Sequence, residues 1–124
     1  MKIYVSGPIS GIENRNIDAF NAMGEKLRSL GHEVINPFEL DTPGFNPEGC
    51  WFKYLKRDLA QLLYCDAVCL LPGWEESKGA RLEVVVARNL ELPLYRMQND
   101  KLIEELVAVD VDVVPMFPSH IWEE

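Results

Sequence analysis

Short apolar runs alternate along the chain with longer segments in which apolar residues recur every three or four positions. Residues 2–5, Lys-Ile-Tyr-Val, read as a first strand, ended by Gly7 and Pro8. Ile17, Phe20, Leu27 and Leu30 fall near one face, which predicts a helix over 17–30, stopped by Gly31. Residues 33–35 make a short second strand closed by Asn36-Pro37, and a loop rich in proline and glycine follows over 38–49. A second helix is predicted over 51–64. Residues 67–71 are apolar throughout, as expected of a strand covered on both faces. After the loop 72–76, a helix is predicted over 79–89, although Val84-Val85-Val86 is β-branched and also reads as strand. A fourth strand over 92–96, a fourth helix over 100–107, a last strand over 109–114 and a tail from Pro115 complete the reading. The alternation implies an α/β fold with a parallel sheet and helices on both faces. At this length the natural order is flavodoxin-like, 2-1-3-4-5, with its crevice beyond the carboxyl ends of strands 1 and 3. The loops there, 6–16 and 72–78, hold most of the unusual residues.

Composition narrows the class. The chain has 124 residues, 48% hydrophobic and 26% charged, so a single domain over 1–124 with one core is expected. Twelve basic and twenty acidic residues leave a net charge of −8, which argues against binding a nucleic acid polymer. No apolar run approaches the ~18 residues of a membrane span, and the N-terminus lacks a signal peptide's apolar stretch, so no membrane partner and a cytoplasmic location are expected. Cys50, Cys65 and Cys69 form no C-x-x-C pair, and His32 and His120 are far apart, so no metal site is expected and the cysteines read as buried thiols.

Two carboxylates stand on the wrong faces of their helices. At about 100° per residue, Trp51, Tyr54, Leu55, Leu59 and Leu62 gather on one side of the second helix, and Lys53, Lys56 and Arg57 on the other. Asp58 falls within the apolar side, so it caps a loop, pairs with a core-lining arginine, or is functional. In the third helix Glu83 sits with Ala80, Val86, Ala87 and Leu90, one turn inside a helix that opens at the crevice. Ser77 is a candidate N-cap, and Gly79 permits close approach of a ligand. Free N–H groups there favour an anion, although taken alone ordinary cap chemistry explains both residues better. Carboxylates from different helices beside one crevice suit cleavage at an anomeric carbon: one attacks C1′, the other handles the leaving group's proton. Gly7, Pro8 and Gly11 would bring the first loop close to a substrate, in neither a P-loop nor a G-x-G-x-x-G arrangement. Tyr4 either orients a carboxylate or is a core tyrosine; Trp74 either stacks on a base or packs.

Three segments then carry a resemblance: Tyr4-Val5-Ser6-Gly7-Pro8-Ile9, Asp58-Leu59 with Cys65-Asp66-Ala67-Val68, and Ser77-Lys78-Gly79-Ala80-Arg81-Leu82-Glu83. Together they resemble the nucleoside 2-deoxyribosyltransferase-like superfamily, over residues 1 to about 95, and within it a small branch of bacteria and their phages. The S-x-G-x-x-x-E element is the most specific piece. The resemblance implies a flavodoxin-like fold and cleavage of an N-glycosidic bond without metal or organic cofactor. It casts Glu83 as the nucleophile at C1′, Asp58 as its aid at base and sugar, and Tyr4 as the residue positioning Glu83. Gly7, Pro8, Ile9, Ser77, Gly79 and Trp74 become substrate contacts. Where the transferases carry an aspartate for the 5′-hydroxyl, this chain has Ser77, as do nucleoside 5′-monophosphate N-glycosidases; a serine at a helix N-terminus can donate to phosphate, which an aspartate would repel. The implied function is hydrolysis of a (deoxy)nucleoside 5′-monophosphate, with a nucleoside 2-deoxyribosyltransferase or a non-catalytic nucleotide-binding module as alternatives. The implied partners are a small nucleotide or nucleoside and further copies of the chain, as a homodimer or higher homo-oligomer.

The sequence also departs from that pattern. The monophosphate hydrolases place an arginine near the position of Ser10; here the nearest is Arg15. The spacing from Asp58 to Glu83 is one residue longer, within the 72–76 loop. The C-terminal segment offers only Asn99 as a counterpart to residues lent between subunits.

Overall fold

The structure is a computed structural model that describes residues 1–41, 51–105 and 107. Its sheet has the order β2-β1-β3-β4-β5, with β1 at Lys2–Ser6, β2 at Glu33–Ile35, β3 at Ala67–Leu70, β4 at Leu94–Gln98 and β5 at Lys101–Glu104. The first four strands run parallel, with Ile3 opposite Val34 on one side and Ala67 on the other. Helix α1 (Ile17–Ser29) lies on one face; α2 (Trp51–Leu62) and α3 (Lys78–Asn89) lie on the other.

The strand period divides the core. Ile3 and Val5 of β1, with Ala67 and Cys69 of β3, pack against Phe20 and Leu27 of α1. Tyr4 of β1, with Val68 and Leu70 of β3, packs against Leu62 of α2 and Val84 and Ala87 of α3. Burial on both faces is why β1 and β3 are apolar almost throughout. Val84 packs inward from α3, so tertiary burial outweighs the modest helix propensity of the valine run. Cys65 and Cys69 are both buried. Gly31, at φ 92°, ends α1 with the paired bonds Gly31 N–H to Arg28 O and His32 N–H to Leu27 O, a turn that favours glycine.

The C-terminal third corrects the sequence reading. Residues 101–104 are not helical: they form β5, antiparallel to β4, so the sheet is mixed and not wholly parallel. Asn99 and Asp100, at φ 50° and 62°, make a two-residue hairpin turn, and left-handed backbone at both central positions is the geometry that matches strand twist. The apolar Leu102 and Ile103 had read as a helix face; the turn before them decided otherwise. The strand expected over 109–114, the tail from Pro115 and most of the 38–49 loop lie outside the described residues. Among the described residues no helix is long and apolar enough to cross a membrane.

Candidate active site

The winding direction reverses between β1 and β3, because α1 leaves β1 on one face while α2 and α3 lie on the other. The loops leaving these strands part there, and a cavity of about 870 Å³ opens between them. Gly7 holds the loops close: a Cβ at this position would stand 2.6 Å from Cβ of Leu71, just past β3. The ladder continues one step further, with the Leu71 N–H donating to the Ser6 carbonyl at 2.8 Å. Gly7, Pro8 and Ile9 line one wall; Ser77, Gly79 and Glu83 line another; Asp58 comes in from α2.

Glu83 is 6% exposed and held at both oxygens. The Tyr4 hydroxyl donates to Oε2, and the Ser6 hydroxyl donates to Oε1 at 2.8 Å. Tyr4 itself is fully buried and reaches the site through its hydroxyl. Tyr4 and Ser6 are two residues apart on β1 and therefore share the face that meets α3. Burial pushes the Glu83 carboxyl up to about 7, against the pull of the Tyr4 and Ser6 hydrogen bonds, and the nearby Asp58 charge pushes the same way. The Tyr4 phenol is held well above its ordinary value, first by burial and then by Glu83.

Asp58, 8% exposed, is paired. Arg57 Nε donates to its Oδ1 at 3.0 Å, and the same guanidinium reaches Asp41 at 2.5 Å and the Pro37 carbonyl at 3.1 Å. Burial raises the Asp58 carboxyl to about 6, against the opposing Arg57. The sequence placed Arg57 on the opposite, solvated face of the helix, since adjacent residues on a helix do not face one another. Its length lets it fold back, and Asp41 and Pro37 hold it there.

The N-terminus of α3 opens into the cavity through Ser77, Lys78, Gly79 and Ala80. The Ser77 hydroxyl accepts from the Ala80 N–H at 3.2 Å, an N-cap that directs the positive end of the helix dipole at the cavity. Arg15 also lines the cavity, between Asn14 and Asn16, with φ of 53°, 56° and 64° for Asn14, Arg15 and Asn16, all left-handed. Asparagine tolerates such backbone through its short polar side chain, whereas for Arg15 it costs about 1–2 kcal/mol. The Asn16 amide anchors the turn on the Pro8 carbonyl at 2.9 Å. The Arg15 guanidinium lies 5.1 Å from the Phe38 ring centre and 5.6 Å from that of Tyr54, with all three residues on the cavity wall.

One expected contact falls elsewhere. Trp74 does not line the cavity; it packs, half-buried, against the cluster of Tyr4, Leu62 and Val84. The turn that begins at Gly73, φ 87°, directs its indole toward the core, so no base-stacking role rests on it. The aromatic wall is instead Phe38 and Tyr54, which the sequence reading left among loop and core residues. Nor does the sequence pattern single out Ser6. The only signal is a hydroxyl in period with Tyr4, following three apolar residues of β1.

The family described as Domain of unknown function (DUF4406) matches residues 1–96, and the chain belongs to that family. No curated protein matches it. A solved structure of the 2-deoxyribosyltransferase from the psychrotolerant bacterium Bacillus psychrosaccharolyticus is similar, with a TM-score of 0.60 and 21% identity over 88% of this chain and 78% of that one. At this identity the likeness establishes the fold, and it agrees with the superfamily fold read from the sequence.

Proposed function

We propose that this member of the DUF4406 family cleaves the N-glycosidic bond of a (deoxy)nucleoside 5′-monophosphate. The observation that carries the reading is a buried carboxyl, Glu83, gripped at both oxygens on the wall of a cavity that a second raised carboxyl, Asp58, also lines. An oxygen of ionised Glu83 attacks C1′ as the C1′–N bond breaks. The bonding pair leaves with the base, and Asp58 delivers a proton to it. Water then attacks C1′, the Asp58 carboxylate takes up its proton, and Glu83 is released.

The reacting form has Glu83 ionised and Asp58 protonated. With the two carboxyls raised by burial to about 7 and about 6, it is one of the two singly protonated arrangements of the pair. That arrangement is accessible at neutral pH, and it produces a bell-shaped dependence on pH. The phosphate is assigned to Ser77, Gly79 and the N-terminus of α3, with Gly7, Pro8 and Ile9 against the sugar and Arg15 supplying a cation from the cavity wall. The size of the cavity is within the range of small-molecule sites.

Incubation with a panel of nucleoside monophosphates and free nucleosides, with released base separated by chromatography, tests the reading. Release from monophosphates that is abolished in Glu83→Ala supports it; no release from any member rejects it. The fold likeness favours one second reading, transfer of the sugar to another base. Adding a different free base to the same reactions distinguishes the two, because only a transferase makes the exchanged nucleoside. Retained nucleotide binding with no turnover in the wild type would instead mark a binding module.

A further inference from the structure

We propose that Ser6 is a positioning residue for the reaction: its hydroxyl fixes the plane of the Glu83 carboxylate so that a free lone pair on each oxygen stays turned to the cavity. The inference rests on the role assigned to Glu83 above. A glutamate's terminal torsion is broad, so a single donor leaves the carboxylate free to rock about its last bond. Tyr4 is one donor, on Oε2; Ser6 is the second, on Oε1. Donors on different oxygens remove that rotation. Each oxygen has two lone pairs, so the grip consumes one on each and leaves one on each for attack.

Nothing else in its surroundings accounts for a serine here. Ser6 is 1% exposed, and the strands of β1 and β3 fix its backbone, with Ser6 opposite Leu70 and its carbonyl accepting from Leu71. The remaining polar group is the hydroxyl, and it goes to Glu83. A buried hydroxyl without a partner is costly, so a purely structural position on this strand would suit alanine or valine as well. A donor that favours the ionised carboxyl also opposes the effect of burial on Glu83, so losing it should make Glu83 harder to ionise.

The test compares wild type with Ser6→Ala, which removes the donor and little volume. The Glu83 carboxyl is followed by carbon-13 NMR in protein labelled at glutamate side chains, its signal identified by its loss in Glu83→Gln. In Ser6→Ala the Glu83 midpoint should move up by about one pH unit. Base release near pH 6 should fall about tenfold or more in kcat, with KM changed by less than about twofold. Ser6→Thr, which keeps the hydroxyl, should restore the midpoint. If Ser6→Ala does not fold, Ser6→Cys, a weaker donor of similar shape, should show the same shift at smaller size. Wild-type base release together with an unchanged midpoint and kcat in Ser6→Ala overturns the role of Ser6 alone. A wild type that releases no base overturns the glycosidase reading, and with it any part for Ser6 in catalysis, however Glu83 titrates.

Discussion

Replacing Glu83 with glutamine should make the protein more stable at the cost of its activity, and the gain should depend on pH. Glutamine stands in for the protonated acid. Its carbonyl accepts from one hydroxyl and its amide donates to the other, whose own hydrogen must then turn away, as it must when the protonated acid donates to it. The carboxyl it replaces titrates at about 7 when folded, against an ordinary 4.5. Below pH 4.5 it is protonated in both states and contributes nothing to the pH dependence. Between 4.5 and about 7 the unfolded chain releases the proton while the folded chain keeps it, so the wild type loses stability as pH rises. Above about 7 the full cost is present, about 3 kcal/mol, of the order of a quarter to a half of a small domain's stability. Urea unfolding of wild type and Glu83→Gln at about pH 4, 6 and 8 measures it. The curves should nearly coincide at the lowest pH and separate progressively, with the variant the more stable. A variant that is less stable at the highest pH, or a difference that does not change with pH, would show that Glu83 is not a buried carboxyl resisting ionisation, and the site reading would lose its basis.

Three other outcomes are expected. Base release should be bell-shaped in pH, with its optimum between about 6 and 7; Asp58→Asn should remove the alkaline limb, where Asp58 loses its proton, and lower kcat by about 10²-fold or more. Gly7→Ala should cost about 1–3 kcal/mol in urea unfolding, because its Cβ would stand 2.6 Å from Cβ of Leu71; an unchanged midpoint would mean that the loop yields freely. Ser77→Asp keeps a good N-cap and hence the stability, but places a negative charge at the proposed phosphate position. It should raise KM for the 5′-monophosphate about tenfold or more while sparing the nucleoside, as steady-state kinetics on both would reveal.

The alternation of strand and helix was legible from periodicity, and chain length with the winding rule for parallel sheets then gave the strand order and the crevice. Burial on both faces forces β1 and β3 to be apolar, and a helix with one buried side announces its period. The same logic singled out Asp58 and Glu83, since a carboxylate in an apolar stripe breaks the pattern that burial imposes. Local patterning could not supply what depends on partners distant in sequence. Ser6 looks like a small strand residue until α3 brings Glu83 to it from 77 positions away. Arg57 looks solvated until Asp41 and Pro37 draw it back to Asp58. Trp74 packs on the core while Phe38 and Tyr54, from separate elements, meet at Arg15 on the cavity wall, a juxtaposition that no hydrophobic period encodes. The hairpin at Asn99-Asp100 has the same lesson: two left-handed residues outweighed an apolar pattern that fits a helix as well as a strand. Sequence determines which surfaces must be buried, because water acts on every apolar side chain alike; only the folded chain decides which polar groups meet, because a hydrogen bond needs its partner in place.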